Sequence, residues 1–414
     1  MIHINKSASR VLTLSLVTFL LTAASNVMAE TIQKEENPKT NTLKVSAMSV
    51  TTKNTSEGTK SKRKSATKPR KKTRRKKTKK MVRRSYIGTK QLNSFINYAV
   101  RKHKFKKKKL LAQFANIKSR PDIIKLMNRQ AENLPWYRYR KIFLGKKRVN
   151  DGVKFWKKNV RILAQAQKKY GVPPEIIIAI IGVETQYGQR KGNIAILESL
   201  ATLSFDFPRR AKFFRREMME FLVMAREEKL KAEKLRGSFA GAMGMPQFMP
   251  SSYRAYAIDF NKDGKRDLFN SRSDAIGSVA NYFATFGWKS GRPVVTRARI
   301  TGGKYRNLPK PKRRLKPHLT LKQYARYGIR PKTSSKRYKS SYKASFIRLR
   351  VSKRRREYWL GMSNFYTITR YNHSTLYAMA VHLLSQKIKK KYLAQTRAGR
   401  KKPLKKAGKT ATKS

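Results

Sequence analysis

Residues 173–188 read PPEIIIAIIGVETQYG: two prolines, a stripe of isoleucines and one late carboxylate. Pro173 and Pro174 suit the start of a helix, where a missing N–H forfeits no intrahelical bond, and Glu175 in the first turn complements the positive end of the dipole. Ile177, Ile180 and Ile181 recur at helical spacing, and Glu184 falls on the same face three and four residues further on. A carboxyl on such a stripe loses hydration when ionised, which raises its pKa toward the range where it donates a proton at neutral pH. Two readings follow. Glu184 is a catalytic acid, or it bends to solvent from the last turn and pairs with one of the many cations.

Those cations dominate the composition. The 414 residues carry 101 Lys and Arg against 21 Asp and Glu, a net charge of +80 that implies attraction to polyanions. Nucleic acid is the first such partner, but the start of the chain argues against it. Lys6 and Arg10 precede an apolar run from Val11 to Ala24, and Val27-Met28-Ala29 offers small residues for signal peptidase, so residues 1–29 read as an export signal. The run is short for a membrane span, and no second apolar run of about 20 residues follows. With no cysteine, disulfides, thiolate metal sites and a lipid-modified cysteine are excluded. The expectation is a soluble periplasmic protein without a lipid anchor.

Residues 30–84 are Thr, Ser, Lys and Arg with little to bury, and 387–414 have the same character, so both read as disordered basic segments. Each is either a tether to an anionic envelope surface or a solvated linker. Order is expected over 85–386. Leu92 to Val100 reads as a helix, Ile123 to Met127 as a short one and Val153 to Tyr170 as one long helix. Trp136-Tyr137-Arg138-Tyr139-Arg140 has a loop-like setting, and its aromatics either join the core or stack on sugars.

Beyond the opening segment, Ile194 to Leu203 and Arg209 to Lys231 read as helices. Arg209 and Arg210 are oddly placed at a positive helix end, which points to anionic substrate groups. Gly237 to Tyr253, GSFAGAMGMPQFMPSSY, lets backbone approach a ligand closely and could present Ser238, Gln247 and Phe248; the alternative is a plain connection. A helix from Ser273, its expected N-cap, runs to Phe286 and stops at Gly287. Val294 to Ile300 and Phe346 to Val351 alternate like strands, with a short helix at Leu319 to Tyr327 between them. Phe365 to Tyr371 also looks extended, and His373 to Lys387 is a closing amphipathic helix. The fold class is mainly α (α+β), with a small late β-sheet.

The segments GVPPEIIIAIIGVETQYG, LATLSFDFPRRAKFF, GSFAGAMGMPQFMPSSY, SDAIGSVANYF and YWLGMSNFYTITRYNHSTLYAMAV together resemble the lytic murein transglycosylase B family, over about Ser85 to Gln386 and in the same order. The resemblance implies a lysozyme-like helical core, here about 153–290 with a closing segment 345–386 and an additional helical region. It also implies cleavage of the β-1,4 bond between MurNAc and GlcNAc in peptidoglycan, with a 1,6-anhydro product and no cofactor for the chemistry. It places Glu184 as the catalytic acid/base and Ser238, Gln247, Phe248, Tyr282, Tyr371, Asn372 and Tyr377 around the glycan. Tyr139 falls near the acid, and Arg209 and Arg210 near the peptide stems. The cysteine-free chain resembles a soluble relative, and the basic insert from Lys304 to Lys343 departs from the family pattern. Peptidoglycan strands, anionic envelope surfaces and cell-wall synthesis or division proteins are the expected partners. The competing readings are a glycan-binding module with weak catalysis and a nucleic-acid or polyanion binder, which would rest on charge alone.

One further motif lies at Asp259-Phe260-Asn261-Lys262-Asp263-Gly264-Lys265. Oxygen side chains at positions 1, 3 and 5, Gly at 6 and the Lys265 carbonyl at 7 match the start of an EF-hand calcium loop, although position 12 is Asn270. The family resemblance implies closure on the acid that opens the next helix, Asp274, with Asp267 a weaker candidate. The alternative is an Asp/Asn/Gly surface turn.

Overall fold

A computed structural model describes residues 82–128, 134–311, 315–333 and 338–400. The expected export signal and nearly all of the expected basic linker, like residues 401–414, lie outside the described residues.

Helix α1 (Lys90–His103) is capped by Thr89, whose side chain accepts from Leu92 N, and is followed by α2 (Lys107–Phe114) and α3 (Pro121–Met127). Helix α4 (Trp136–Phe143) replaces the expected loop, because Trp136, Tyr139 and Phe143 recur on one face and are buried. Where one long helix was expected, α5 (Lys146–Lys158) and α6 (Val160–Tyr170) are separated at Asn159. The Asn159 side-chain amide donates to Phe155 O at 2.7 Å, competing with the backbone ladder at that residue.

Helix α7 (Pro174–Thr185) is buried along its whole length, as its run of isoleucines requires. It stops earlier than the motif suggested, since Gln186 and Tyr187 take left-handed φ values of 50° and 62°. A two-stranded ribbon, β1 (Ile194–Ala195) with β2 (Arg236–Gly237), then brackets α8 (Ile196–Phe205) and α9 (Ala211–Glu227). Helices α10 (Pro250–Tyr256) and α11 (Arg272–Thr285) follow; Ser271 rather than Ser273 caps α11, accepting from Asp274 N at 3.1 Å.

The late sheet comprises β3 (Val295–Ile300), β4 (Leu319–Thr320), β5 (Ile329–Pro331), β6 (Lys343–Arg350) and β7 (Arg356–Gly361), in the order β4-β6-β7-β3-β5 with antiparallel pairs. The segment expected as a helix over Leu319 to Tyr327 is β4 followed by α12 (Leu321–Arg326), with Thr320 and Gln323 forming a capping box. Opposite Ile347 stands Trp359, and alternate residues Ile347 and Leu349 enter the core.

Phe365 to Tyr371, expected extended, belongs to helix α13 (Ser363–Tyr371). Its aromatic and β-branched residues favour a strand, but the Asn364 side chain bonds Lys289 N, Lys289 O and Arg292 O and fixes the start of the helix. The last helix, α14 (Thr375–Arg400), continues past Lys387, so the expected disordered tail cannot begin there. Ile388 is buried, Lys389 pairs with Glu175 at 2.7 Å and Tyr392 stacks on Trp156 at 4.3 Å, so the helix has a face to cover there.

Two cores result. One packs α14 and α5 against α7 and α6 against α11; the other joins α1, α2, α8, α9 and α10. Tyr371 touches both, which places α13 at the seam. No helix among the described residues is long and apolar enough to cross a membrane.

Candidate active site

Glu184 sits in the last turn of α7 with 3 % of its surface exposed. Its Oε1 accepts from the Tyr377 hydroxyl of α14 at 2.6 Å, and its Oε2 is buried with no hydrogen-bond partner. Burial raises the carboxyl pKa to about 8, against the smaller downward effects of the Tyr377 hydrogen bond and the Arg148 charge. No second carboxylate is among the groups that perturb it. The surface-pair alternative fails here, since Glu184 is buried and, among the described residues, forms no ion pair within contact distance.

Arg148, which sequence reading missed, completes this environment. It is buried on α5 and its guanidinium donates to Gly182 O and to Val183 O, carbonyls at the negative end of α7. Tyr187 donates to the backbone Arg148 O at 2.7 Å, so the left-handed turn after Glu184 is tied to the stretch of α5 that carries the cation. A signal existed: Arg148 shares a stripe with Gly152, Phe155 and Trp156 at helical spacing, an odd place for a charge. Thr185 was also missed. Its hydroxyl donates to Met245 O at 2.8 Å and accepts from Gly188 N at 3.0 Å, joining the end of α7 to the glycine-rich segment.

That segment is a built loop rather than a plain connection. Ser238 Oγ accepts from Ala240 N and Ala242 N, and Met243 pairs with Phe248 across a bridge. At Gly244, with φ 68°, a Cβ would lie 2.4 Å from Leu268 O, so only glycine fits. Gln247 donates from Nε2 to Lys191 O and Gly244 O, while its Oε1 is buried without a partner.

A chain of rings connects loop and acid. Phe248 packs on Tyr282 and Tyr371, Tyr371 stacks parallel to Tyr377 at 6.5 Å, and Tyr371 also donates to Pro246 O at 2.5 Å. Tyr282 donates to Arg370 O at 2.7 Å, and Asn372 is fully buried beside this cluster, its carbonyl accepting from Ser374 N. Tyr139 is fully buried against Trp136 and Phe143 and close enough to Tyr377 to help raise its pKa. Its ring is therefore core, not an exposed platform. Arg209 and Arg210 lie just before α9; Arg209 is exposed, and Arg210 lies over the rings of Phe213 and Phe214 at 4.4 and 5.0 Å.

The calcium-like loop is separate from the acid but braces its neighbour, since Met245 N donates to Leu268 O at 2.8 Å. Carboxylate oxygens of Asp259, Asp263 and Asp274 lie within 4.8 Å of one another. Asn261 donates from Nδ2 to Asp263 of that cluster at 2.8 Å, and Asp267 is taken up by the N–H groups of Phe269 and Asn270.

The sequence model of the family described as Transglycosylase SLT domain matches residues 88–386. This chain belongs to that family. It is 44 % identical over 304 residues to membrane-bound lytic murein transglycosylase B of Escherichia coli K12, covering 71 % of this chain and 81 % of that protein. Among solved structures, the soluble lytic transglycosylase SltB1 of Pseudomonas aeruginosa superposes with a TM-score of 0.68 at 41 % identity, covering 74 % of this chain and 99 % of that one. The E. coli lytic transglycosylase Slt35, solved in complex with calcium, gives 0.67 at 43 % identity over 74 % and 95 %. SltB3 of P. aeruginosa, solved with NAG-anhNAM-pentapeptide, gives 0.63 at 30 % identity over 72 % and 78 %. The transglycosylase is thus a peptidoglycan lytic enzyme with a mainly helical, lysozyme-like fold.

Proposed function

We propose that this transglycosylase cuts the MurNAc–GlcNAc bond with Glu184 as both acid and base. The observation that carries the reading is the asymmetry of that carboxyl, one oxygen bonded to Tyr377 and the other buried and unpartnered. With a pKa of about 8 it holds its proton at neutral pH. It would give that proton to the glycosidic oxygen as the C1–O bond breaks, while the substrate's own N-acetyl oxygen stabilises the cation at C1. The resulting carboxylate, favoured by Arg148 and the Tyr377 hydroxyl, would take the proton of the C6 hydroxyl as O6 closes on C1. Glu184 is then protonated again and no water is consumed. Two-acid glycosidases need a second carboxylate for nucleophile or base; in this reading the substrate's own N-acetyl and C6 hydroxyl groups take those parts.

Ser238, Gln247, Phe248, Tyr282, Tyr371, Asn372 and Tyr377 would surround the glycan, with the free Gln247 Oε1 as an acceptor for a sugar donor. Tyr139 would support Tyr377, and Arg209 and Arg210 would meet the stem peptides. The ligand of SltB3, NAG-anhNAM-pentapeptide, is of the expected product class. Mass spectrometry of muropeptides released from purified sacculi should find 1,6-anhydro ends. Reducing ends, read by borohydride labelling, would make the enzyme a hydrolase and remove this account.

Asp259, Asp263 and Asp274, with the Asn261 side chain and the Lys265 carbonyl nearby, fit a structural calcium ion: the three carboxylates have the spacing of ligands about 2.4 Å from one centre, and no Lys or Arg is paired with them among the described residues. Bound there, calcium would neutralise the cluster and hold the segment that leads to Leu268. The working compartment we propose is the periplasm, with the basic segment 30–84 attracted to anionic envelope surfaces. Deleting residues 30–81 should leave turnover of soluble strands unchanged and weaken binding to sacculi in a salt-sensitive way. Equal, salt-independent binding would return that segment to a passive linker.

A further inference from the structure

The late β-unit is almost devoid of acids. Glu357 is the single carboxylate between Arg292 and Gly361, and it is already engaged by Arg297 at 3.1 Å. Against this sheet lies a cavity of about 550 Å³ whose wall includes Arg292, Lys316, Lys339 and Lys343, and no carboxylate among the described residues lines it. None of these four cations has an ion-pair partner among the described residues. The Arg292 guanidinium is held over the Tyr342 ring at 4.5 Å, so one of the four is already oriented. Ser363, at the start of α13, also lines the cavity, and that helix has no side-chain cap, so its positive end adds to the same field.

Gathering like charges is unfavourable. All four cations are exposed at the rim and wall of this concavity, so an anion seated in it would meet several of them at once. A carboxylate brings one charge, whereas a phosphate monoester brings about 1.5 to 2 charges and three acceptor oxygens. Tyr366, Pro293 and Pro317 add apolar surface suited to a sugar ring. Arg292 and Pro293 are shared with a neighbouring cavity of about 840 Å³ lined by Trp156, Trp288, Gln167 and Gln386, which leaves room beyond the anion. Glu184, Gln247, Tyr371 and Tyr377 line neither cavity.

We infer that this basic cavity is a second binding site, separate from the glycan groove, for the phosphate group of a phosphorylated sugar. The sugar phosphate could be free or carried as a lipid headgroup, since the chemistry that recognises it is the same. The site would hold the enzyme on a phosphorylated surface without occupying the groove that holds Glu184.

The test is calorimetric titration of the full-length protein with glucose 6-phosphate, glucuronate and glucose at fixed ionic strength. Saturable binding of the phosphate is expected, roughly tenfold or more tighter than glucuronate, with none for glucose. Arg292→Gln combined with Lys343→Gln should lose about tenfold or more in affinity. Arg348→Gln with Arg350→Gln, which remove the same charge from residues outside the cavity, should not, and melting curves report whether each variant is folded. Glu184→Gln should bind the phosphate normally, so failure of the catalytic reading leaves this one standing. Vesicles bearing a phosphorylated-sugar lipid that compete with the free ligand would support the site and name the headgroup as a source. Equal losses in the two double variants would assign binding to net charge, and equal binding of glucuronate or glucose would remove the phosphate assignment; either overturns the inference, as does failure of both free and vesicle-borne phosphate to bind.

Discussion

The Tyr377 hydroxyl donates to Glu184 Oε1 at 2.6 Å and so favours the ionised acid, while burial of the same carboxyl favours the protonated one. Burial is the larger effect, and the pKa settles at about 8. Replacing Tyr377 by Phe removes the smaller, opposing influence. The alkaline limb of the pH–rate profile should therefore move to higher pH, while kcat falls by roughly tenfold to a hundredfold because the carboxylate formed mid-reaction loses its donor. A rate profile of Tyr377→Phe over pH 6 to 10 checks both; an unmoved limb would detach Tyr377 from the acid.

Stability should carry the same signature with a definite sign. The folded pKa of Glu184, about 8, lies above its ordinary value of 4.5, so the folded state binds the extra proton between them. Its contribution is fully present below about pH 4.5 and is lost as pH rises toward 8, on the order of 3 to 5 kcal/mol across that window. Glu184→Gln removes the titration, so its thermal midpoint should exceed that of the wild type increasingly as pH rises from 5 to 8.5. A difference independent of pH would mean that the group is not buried as described.

Gly182 carries a further prediction. A Cβ there would lie 2.6 Å from Tyr187 ring atoms, and Tyr187 donates to the backbone Arg148 O. Helix propensity favours Ala over Gly by about 1 kcal/mol, but relieving such overlap costs about 1 to 3 kcal/mol. Gly182→Ala should therefore lower both the melting temperature and kcat. A more stable variant with normal turnover would show that Tyr187 can be displaced at no cost.

Calcium in millimolar amounts should raise the melting temperature of the wild type by mass action, and that of Asp263→Ala much less, because Asp263 is one of the three clustered acids. Identical melting curves with and without the ion would leave the loop as an Asp/Gly turn stabilised by its own hydrogen bonds, such as Gly264 N to Asp259 at 2.8 Å.

Much of this site was readable in the sequence because local rules apply to it. The isoleucine stripe of α7 marks a core helix, and Glu184 on it is a charge out of place. Arg148 was equally out of place on α5, yet its role is set by the carbonyls of Gly182 and Val183, more than thirty residues away, which spacing on one helix cannot reveal. Phe365 to Tyr371 has strand-like residues but folds as α13, because the Asn364 side chain grips the turn after α11. The extension of α14 beyond Lys387 was hidden by its lysines. Lys389 and Tyr392 find Glu175 and Trp156 only after the chain has folded, and charge composition carries no record of that pairing.

The most direct test of the central claim is the turnover of Glu184→Gln on purified sacculi, measured beside its binding to them. The amide fills the same space but can neither give nor take the proton. Release of anhydro-muropeptides should fall by on the order of a thousandfold while binding and the folded state persist. Retention of more than a few per cent of wild-type release would contradict the assignment of both proton transfers to this one carboxyl.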